Sequence, residues 1–328
     1  MPFLSIENIS FSYGKNDVLK GFSLGVEEGS FTTLLGSSGS GKTTLLRLIS
    51  GFLEPSSGVI KIGGKTINGI LPNKRQTGFV FQDYALFPHM TVFQNLSYGL
   101  KIKRHGQTSK KETAELVLKT AENLGIQNLL ERFPSELSGG QQQRVALGRA
   151  LVLKPSLLLM DEPLSSLDTN LRQKVRGELK EIQQRLKITT VYVTHDQEEA
   201  LSLSDKIAVM EKGKLLQYGT PHEIYFEPKD KFTAEFIGRA NFLGKTMVRP
   251  EWIRLEKDSV KADFFGIVES SEFLGAFTRY RISLVEKSPG GEISAGKTFV
   301  VDEPTVLSSE IRNGDRVGIS FLRKAEIS

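Results

Sequence analysis

Gly36-Ser37-Ser38-Gly39-Ser40-Gly41-Lys42-Thr43, with Thr44 behind it, is a spacing of residue types that binds phosphate. Glycines let consecutive backbone N–H groups turn inward around phosphate oxygens, Lys42 brings a cation to the terminal phosphates, and the Thr43 hydroxyl can ligate Mg²⁺. A Gly-Ser linker is the bland alternative. It fails because linkers are not flanked by an apolar strand before and a helical run after. Leu157-Leu158-Leu159-Met160, running into Asp161-Glu162, supplies the second half of a nucleotide site. A buried strand delivers Asp161 to the metal at its carboxyl end, and Glu162, past the strand, can face the phosphate and polarise a water. Taken singly, either acid reads as an ordinary surface carboxylate; the phosphate loop upstream reverses that. Ser138-Gly139-Gly140-Gln141 opens a helix running toward Leu153, and its N-terminal N–H groups and positive dipole end offer a second anion site.

The elements that must hold these groups are legible as alternating periods. Short β-branched runs at Phe31 to Leu35, Gly78 to Phe81, Leu157 to Met160, Thr189 to Val193, Ile207 to Met210 and Leu215 to Tyr218 read as strands, most of them buried on both faces. Helical patterns between them imply an α/β layer built largely on parallel strands. Leu171, Val175, Leu179, Ile182 and Leu186 fall on one helical stripe, and Asp196 caps a further helix with Glu199 three residues on. The polar, basic stretch Lys101 to Lys111 reads as a surface excursion. After Phe236-Ile237-Gly238-Arg239 short alternating strands take over, with Thr278, Tyr280, Ile282 and Leu284 on one face and Val317, Ile319 and Phe321 on another, a small β-barrel. Pro289-Gly290-Gly291 reads as a loop between such strands, and Pro221 to Pro228 as the approach to the border. The expected domains are 1–238 and 239–328.

Composition bounds the rest. At 328 residues, 39% hydrophobic and 25% charged, the chain is a globular protein of about two domains. No window approaches the ~18 apolar residues of a membrane span, and Met1 to Glu7 shows no secretory leader, so the expected place is inside the cell. With no cysteine, disulfides and thiolate chemistry are excluded. From Ala240 onward 13 Lys and Arg face 13 Asp and Glu, so the whole net charge of +5 lies in the first part, too weak an asymmetry to argue for nucleic acid.

Leu137-Ser138-Gly139-Gly140-Gln141, upstream of the acidic strand, resembles the signature of ATP-binding-cassette (ABC) ATPases. The resemblance implies ATP and Mg²⁺ as cofactors, a P-loop domain with a helical subdomain, and a homodimer in which the signature of one subunit caps the γ-phosphate held by its partner. It also implies roles residue by residue. Tyr13 is similar to the aromatic that stacks on adenine, with Val18 beside it. Gln82 resembles the glutamine that touches Mg²⁺ and water, with Asp83 to Pro88, including Leu86 and Phe87, as an exposed docking surface for a membrane subunit. Ser165-Ser166-Leu167-Asp168 resembles the loop crossing the dimer interface, His195 the histidine contacting the γ-phosphate, and Arg132 a residue reaching the partner's nucleotide. On residue type alone, Tyr13 would be packing, Gln82 a surface amide and His195 a strand-end histidine.

Met247-Val248-Arg249-Pro250-Glu251 and Gly266-Ile267-Val268-Glu269 to Gly275 look like the oligonucleotide-fold type (TOBE) domain of importer ATPases, here shorter than the paired barrels of the maltose type. Phe236 to Leu243 resembles the iron(III), polyamine and phosphonate branch. The implied role is the ATP-hydrolysing subunit of a solute importer. It would lie peripherally on the cytoplasmic face of the inner membrane, beneath two transmembrane permease subunits, and serve an extracytoplasmic solute-binding protein, with no nucleic acid partner. A soluble ABC ATPase acting on nucleic acid or ribosomes is the alternative; its relatives usually carry two cassettes or a coiled-coil insertion, neither of which is present. A ligand-sensing regulator finds little support, since Phe264, Phe265 and Tyr280 read as core rather than as a stacking platform.

Overall fold

The computed structural model describes residues 1–103, 109–257, 262–287, 297–306 and 311–327. The chain divides into two compact units, Met1–Pro221 and His222–Ser328, ahead of the border expected at Gly238.

In the first unit the order is β1 (Leu4–Tyr13), β2 (Asn16–Val26), β3 (Phe31–Gly36), α1 (Lys42–Ser50), β4 (Ser57–Ile62), β5 (Lys65–Thr66), β6 (Thr77–Val80), α2 (Val92–Lys103), α3 (Lys110–Asn123), α4 (Gly139–Leu151), β7 (Leu157–Asp161), α5 (Thr169–Leu186), β8 (Thr189–Thr194), α6 (Gln197–Leu203), β9 (Lys206–Glu211) and β10 (Lys214–Gly219). A six-stranded sheet runs β10-β9-β3-β8-β7-β6, parallel except where β10 pairs with β9. Its run Leu157 to Met160 is apolar throughout because both faces are covered. Leu157 and Leu159 join the core holding α1, whereas Leu158 and Met160 join the core holding the helices α2 to α5.

A second sheet, antiparallel and ordered β2-β1-β4-β5, was not visible as such in the sequence. Register shifts along β1, between Ile6 and Ile9 and again before Phe11 and Ser12, break the two-residue alternation by which a half-buried strand is read. Strand β6 stops at Val80, so Phe81 and Gln82 lie beyond it rather than at its end, and α4 stops at Leu151 rather than Leu153. Within the basic stretch, residues 104–108 lie outside the described residues; Lys101 and Ile102 are exposed, and Ser109 caps α3 by accepting from the Glu112 N–H.

The second unit contains α7 (Pro221–Phe226), α8 (Lys231–Ile237), β11 (Asn241–Leu243), β12 (Thr246–Val248), β13 (Ile253–Lys257), β14 (Phe264–Phe273), β15 (Phe277–Lys287), β16 (Thr298–Pro304), β17 (Arg316–Phe321) and β18 (Ala325–Glu326). Helix α7 occupies most of Pro221 to Pro228, the stretch taken for the approach to the border, and α8 follows it. Tyr225, Phe226 and Ala234 pack with Trp252, Val248 and Met247, which is why they fold with the second unit. Five antiparallel strands run β13-β17-β14-β15-β16, beside a small sheet β11-β12-β18. The two edges of the five-stranded sheet meet through a side chain, since Glu303 of β16 accepts from the Leu255 N–H of β13 at 3.1 Å. The sheet is thereby curled into a half-barrel of the kind expected. Tyr280, Ile282, Leu284, Val317 and Ile319 are buried inside it, and Pro289-Gly290-Gly291 lies outside the described residues.

Candidate functional site

Adjacent strands β3, β8, β7 and β6 are parallel, so their carboxyl ends lie in a row. Each end delivers one piece: Gly36 to Thr43 after β3, His195 after β8, Asp161 and Glu162 at the end of β7, and Gln82 after β6.

The phosphate loop is shaped by its glycines. A Cβ on Gly36 would stand 2.2 Å from the Met210 carbonyl oxygen of β9, and Gly41, the cap of α1, holds φ at +99° with Leu19 2.9 Å from where a Cβ would sit. Lys42 is 5% exposed, and its ammonium donates to the Gly36 and Ser37 carbonyls at 2.7 and 2.9 Å and to Ser40 Oγ at 3.4 Å. Burial pulls the Lys42 pKa down; Glu162 and Asp161 oppose that. Ser38 and Gly39 are exposed on the loop, while Thr44 is half-buried on α1.

Thr43 Oγ1 donates to Asp161 Oδ1 at 2.8 Å. Burial raises the Asp161 pKa, and the Thr43 bond counters it. A hydroxyl and a carboxylate side by side are the oxygen donors a hard divalent cation takes. No cluster of three or more His, Asp or Glu is found among the described residues, so the other ligands of such a cation would be water or substrate oxygens. Glu162 takes a left-handed φ of 44°, its N–H donates to the Val193 carbonyl, and His195 Nδ1 lies 3.1 Å from Glu162 Oε2. The turn aims the carboxylate away from the strand and onto the histidine.

Tyr13 closes β1 with its ring 47% exposed, edge-on to Phe11 at 4.8 Å, and Val18 packs beside Gly41. Ser138 caps α4 in a reciprocal box with Gln141, and Gly139 and Gly140 lie where any Cβ would press on Leu167 and on Val175 and Leu171. Asp168 caps α5 by accepting from the Leu171 N–H. Among the described residues, no hydrogen bond joins Arg132, Ser138 to Gln141 or Asp168 to the phosphate loop; Arg132 is exposed ahead of α4. Gln82 is exposed as well. Leu86 and Phe87, expected to be exposed, are half-buried, because Leu86 packs on the helical core and the Phe87 ring lies 4.6 Å from Tyr98 and under Arg149.

Sequence reasoning missed the groups that hold the loops. Arg172 ties the Leu167 carbonyl at 2.9 Å to Asp196 Oδ2 at 3.4 Å, and so links the segments on either side of the site. Asp196 accepts from the Glu199 N–H as its spacing indicated, but the Glu199 carboxylate turns instead to Tyr192 and Thr194. The Arg172 guanidinium pairs with Asp196 and not with Asp168 four residues before it, so helical spacing gives no signal of its role.

Residues 19–165 match the family model described as ABC transporter, and residues 246–325 the one described as TOBE domain. The chain is 44% identical to the spermidine/putrescine import ATP-binding protein PotA of Thermobifida fusca (strain YX), over 87% of this chain and 84% of that one. It is 42% identical to the Fe(3+) ions import ATP-binding protein FbpC of Brucella abortus (strain 2308), over 93% and 92%. Among solved structures it is similar to cbiO1 from Clostridium perfringens, part of the ABC transporter complex cbiONQ, with a TM-score of 0.62 and 31% identity over 68% of this chain and 90% of that one.

Proposed function

The chain belongs to the ATP-binding subunits of ABC transporters, and on that premise we propose that it hydrolyses ATP to drive the import of iron(III), a polyamine or a related small solute. The observation that carries the hydrolytic part is the row of strand ends that brings the Lys42 loop, the Thr43–Asp161 pair and the Glu162–His195 pair together. The solute class rests on the PotA and FbpC relatives.

ATP supplies the anhydride bond that is cleaved. Lys42 neutralises its terminal phosphates, and Thr43, Asp161 and Gln82 would hold Mg²⁺. Glu162 orients and activates water, and His195, its Nδ1 3.1 Å from the Glu162 carboxylate, keeps that carboxylate in place and faces the γ-phosphate. Tyr13 and Val18 receive the adenine, and the N–H groups from Gly36 to Thr44 receive phosphate oxygens. In this reading Ser138 to Gln141, Asp168 and Arg132 face the nucleotide of a second copy, so the active unit is a homodimer. It sits on the cytoplasmic face of the inner membrane against two permease subunits, downstream of a solute-binding protein.

The test is the pair Lys42→Ala and Glu162→Gln. The first should lose hydrolysis, since a charge-assisted contact of ~1.5 to 3 kcal/mol disappears. The second keeps the side chain's shape but not its charge, so turnover should fall at least about 100-fold while ATP and Mg²⁺ hold a dimer on gel filtration. A Glu162→Gln protein that stays monomeric or turns over rapidly would refute the reading.

A further inference from the structure

One side-chain hydrogen bond joins the loop carrying Gln82 to the loop carrying Asp168: Ser166 Oγ donates to Tyr84 Oη at 3.0 Å. Tyr84 is 5% exposed, its ring set in the core of the helical layer, so the hydroxyl has no freedom to swing away. Its backbone is equally confined. The Tyr84 N–H donates to the Phe81 carbonyl at 3.0 Å, closing a turn around Gln82, and Tyr84 and Ala85 both hold left-handed φ values of 62° and 45°. Arg149 of α4 donates to the Tyr84 and Ala85 carbonyls and lies 5.5 Å over the Phe87 ring. From Phe81 to Phe87 the loop is therefore a pinned body, and Ser166 is its contact with the segment between Glu162 and α5.

We propose that Tyr84 is a positioning residue that transmits displacement of the Ser165 to Asp168 loop to Gln82 and to the Leu86–Phe87 surface. A pinned turn moves as a unit, so a shift of Ser166 pulls the hydroxyl, the hydroxyl pulls the turn, and Gln82 and Phe87 move with it. The inference rests on the reading of those loops given under the proposed function.

Amide exchange on the full-length protein tests it, in a Glu162→Gln background with and without Mg-ATP. Nucleotide should slow exchange over both 165–168 and 82–88. Adding Tyr84→Phe, which keeps the buried ring, should cut the slowing at 82–88 about fivefold, the factor one hydrogen bond carries, and leave 165–168 responding. Ser166→Ala, which removes the same bond from an exposed residue, should do likewise, and the two together should do no more than either. If 165–168 responds and 82–88 slows fully in Tyr84→Phe, the coupling is refuted. If 165–168 ignores nucleotide in the parent, the reading of that loop fails and takes the coupling with it.

Discussion

Thr194 and Asp196, which flank the candidate catalytic His195, are held by a buried acid. Glu199 Oε2 accepts from Tyr192 Oη and Thr194 Oγ1, each at 2.7 Å, and Thr194 Oγ1 in turn accepts from the Asp196 N–H at 3.0 Å. Burial, the largest influence, raises the Glu199 pKa above its ordinary 4.5. The folded state therefore holds this proton more tightly than the unfolded one, so the contribution is present below the ordinary value and is lost as pH rises through the raised one. Glu199→Gln keeps the accepting oxygen without the charge. Its urea midpoint should fall less steeply than the wild type as pH rises from about 4.5 toward neutrality; parallel curves would exclude Glu199 as the source.

The loop after β6 is an element that divides its apolar residues between two tasks. Asn95 fixes it from α2, accepting from the Phe87 N–H at 2.9 Å and donating to the Phe87 and Met90 carbonyls. Phe87 is thus partly packed and partly available, which makes a substitution there cost some stability as well as contact. Replacing Leu86 and Phe87 by Ser should lower stability by roughly 1 to 3 kcal/mol and abolish transport in cells while purified protein still hydrolyses ATP. Transport at the wild-type rate would count against a docking role for this loop.

Among the described residues of the second unit, Arg249 is the cation buried in the interior. Arg249 has no exposed surface, donates to the Ala234, Arg239 and Tyr225 carbonyls at 2.7, 3.1 and 3.0 Å, and lies 4.4 Å from the Tyr225 ring. Arg249→Met fills similar space and leaves those carbonyls without a donor, so denaturant unfolding should show a loss on the order of 3 kcal/mol. A loss below about 0.5 kcal/mol would mean that the carbonyls find other donors. The solute is a question for the whole assembly: deleting the gene should impair uptake of iron(III) or a polyamine, and loss of sugar uptake alone would overturn that assignment. Gly36 to Thr43, Leu137 to Gln141 and Asp161-Glu162 were legible as a candidate site because backbone cradles, helix caps and strand-end acids are local, set by neighbours in sequence. So were β7, whose unbroken apolar run from Leu157 to Met160 states that both faces are covered, and β8, a β-branched run of threonine and valine around Tyr192. The border at Pro221, the curl closed by Glu303, the partial burial of Phe87 and the ties made by Arg172, Arg149 and Tyr84 were not. Each joins groups far apart along the chain, and the strand order β3-β8-β7-β6 that brings the site into one row is a pairing of separate segments, decided by which apolar faces cover one another in three dimensions.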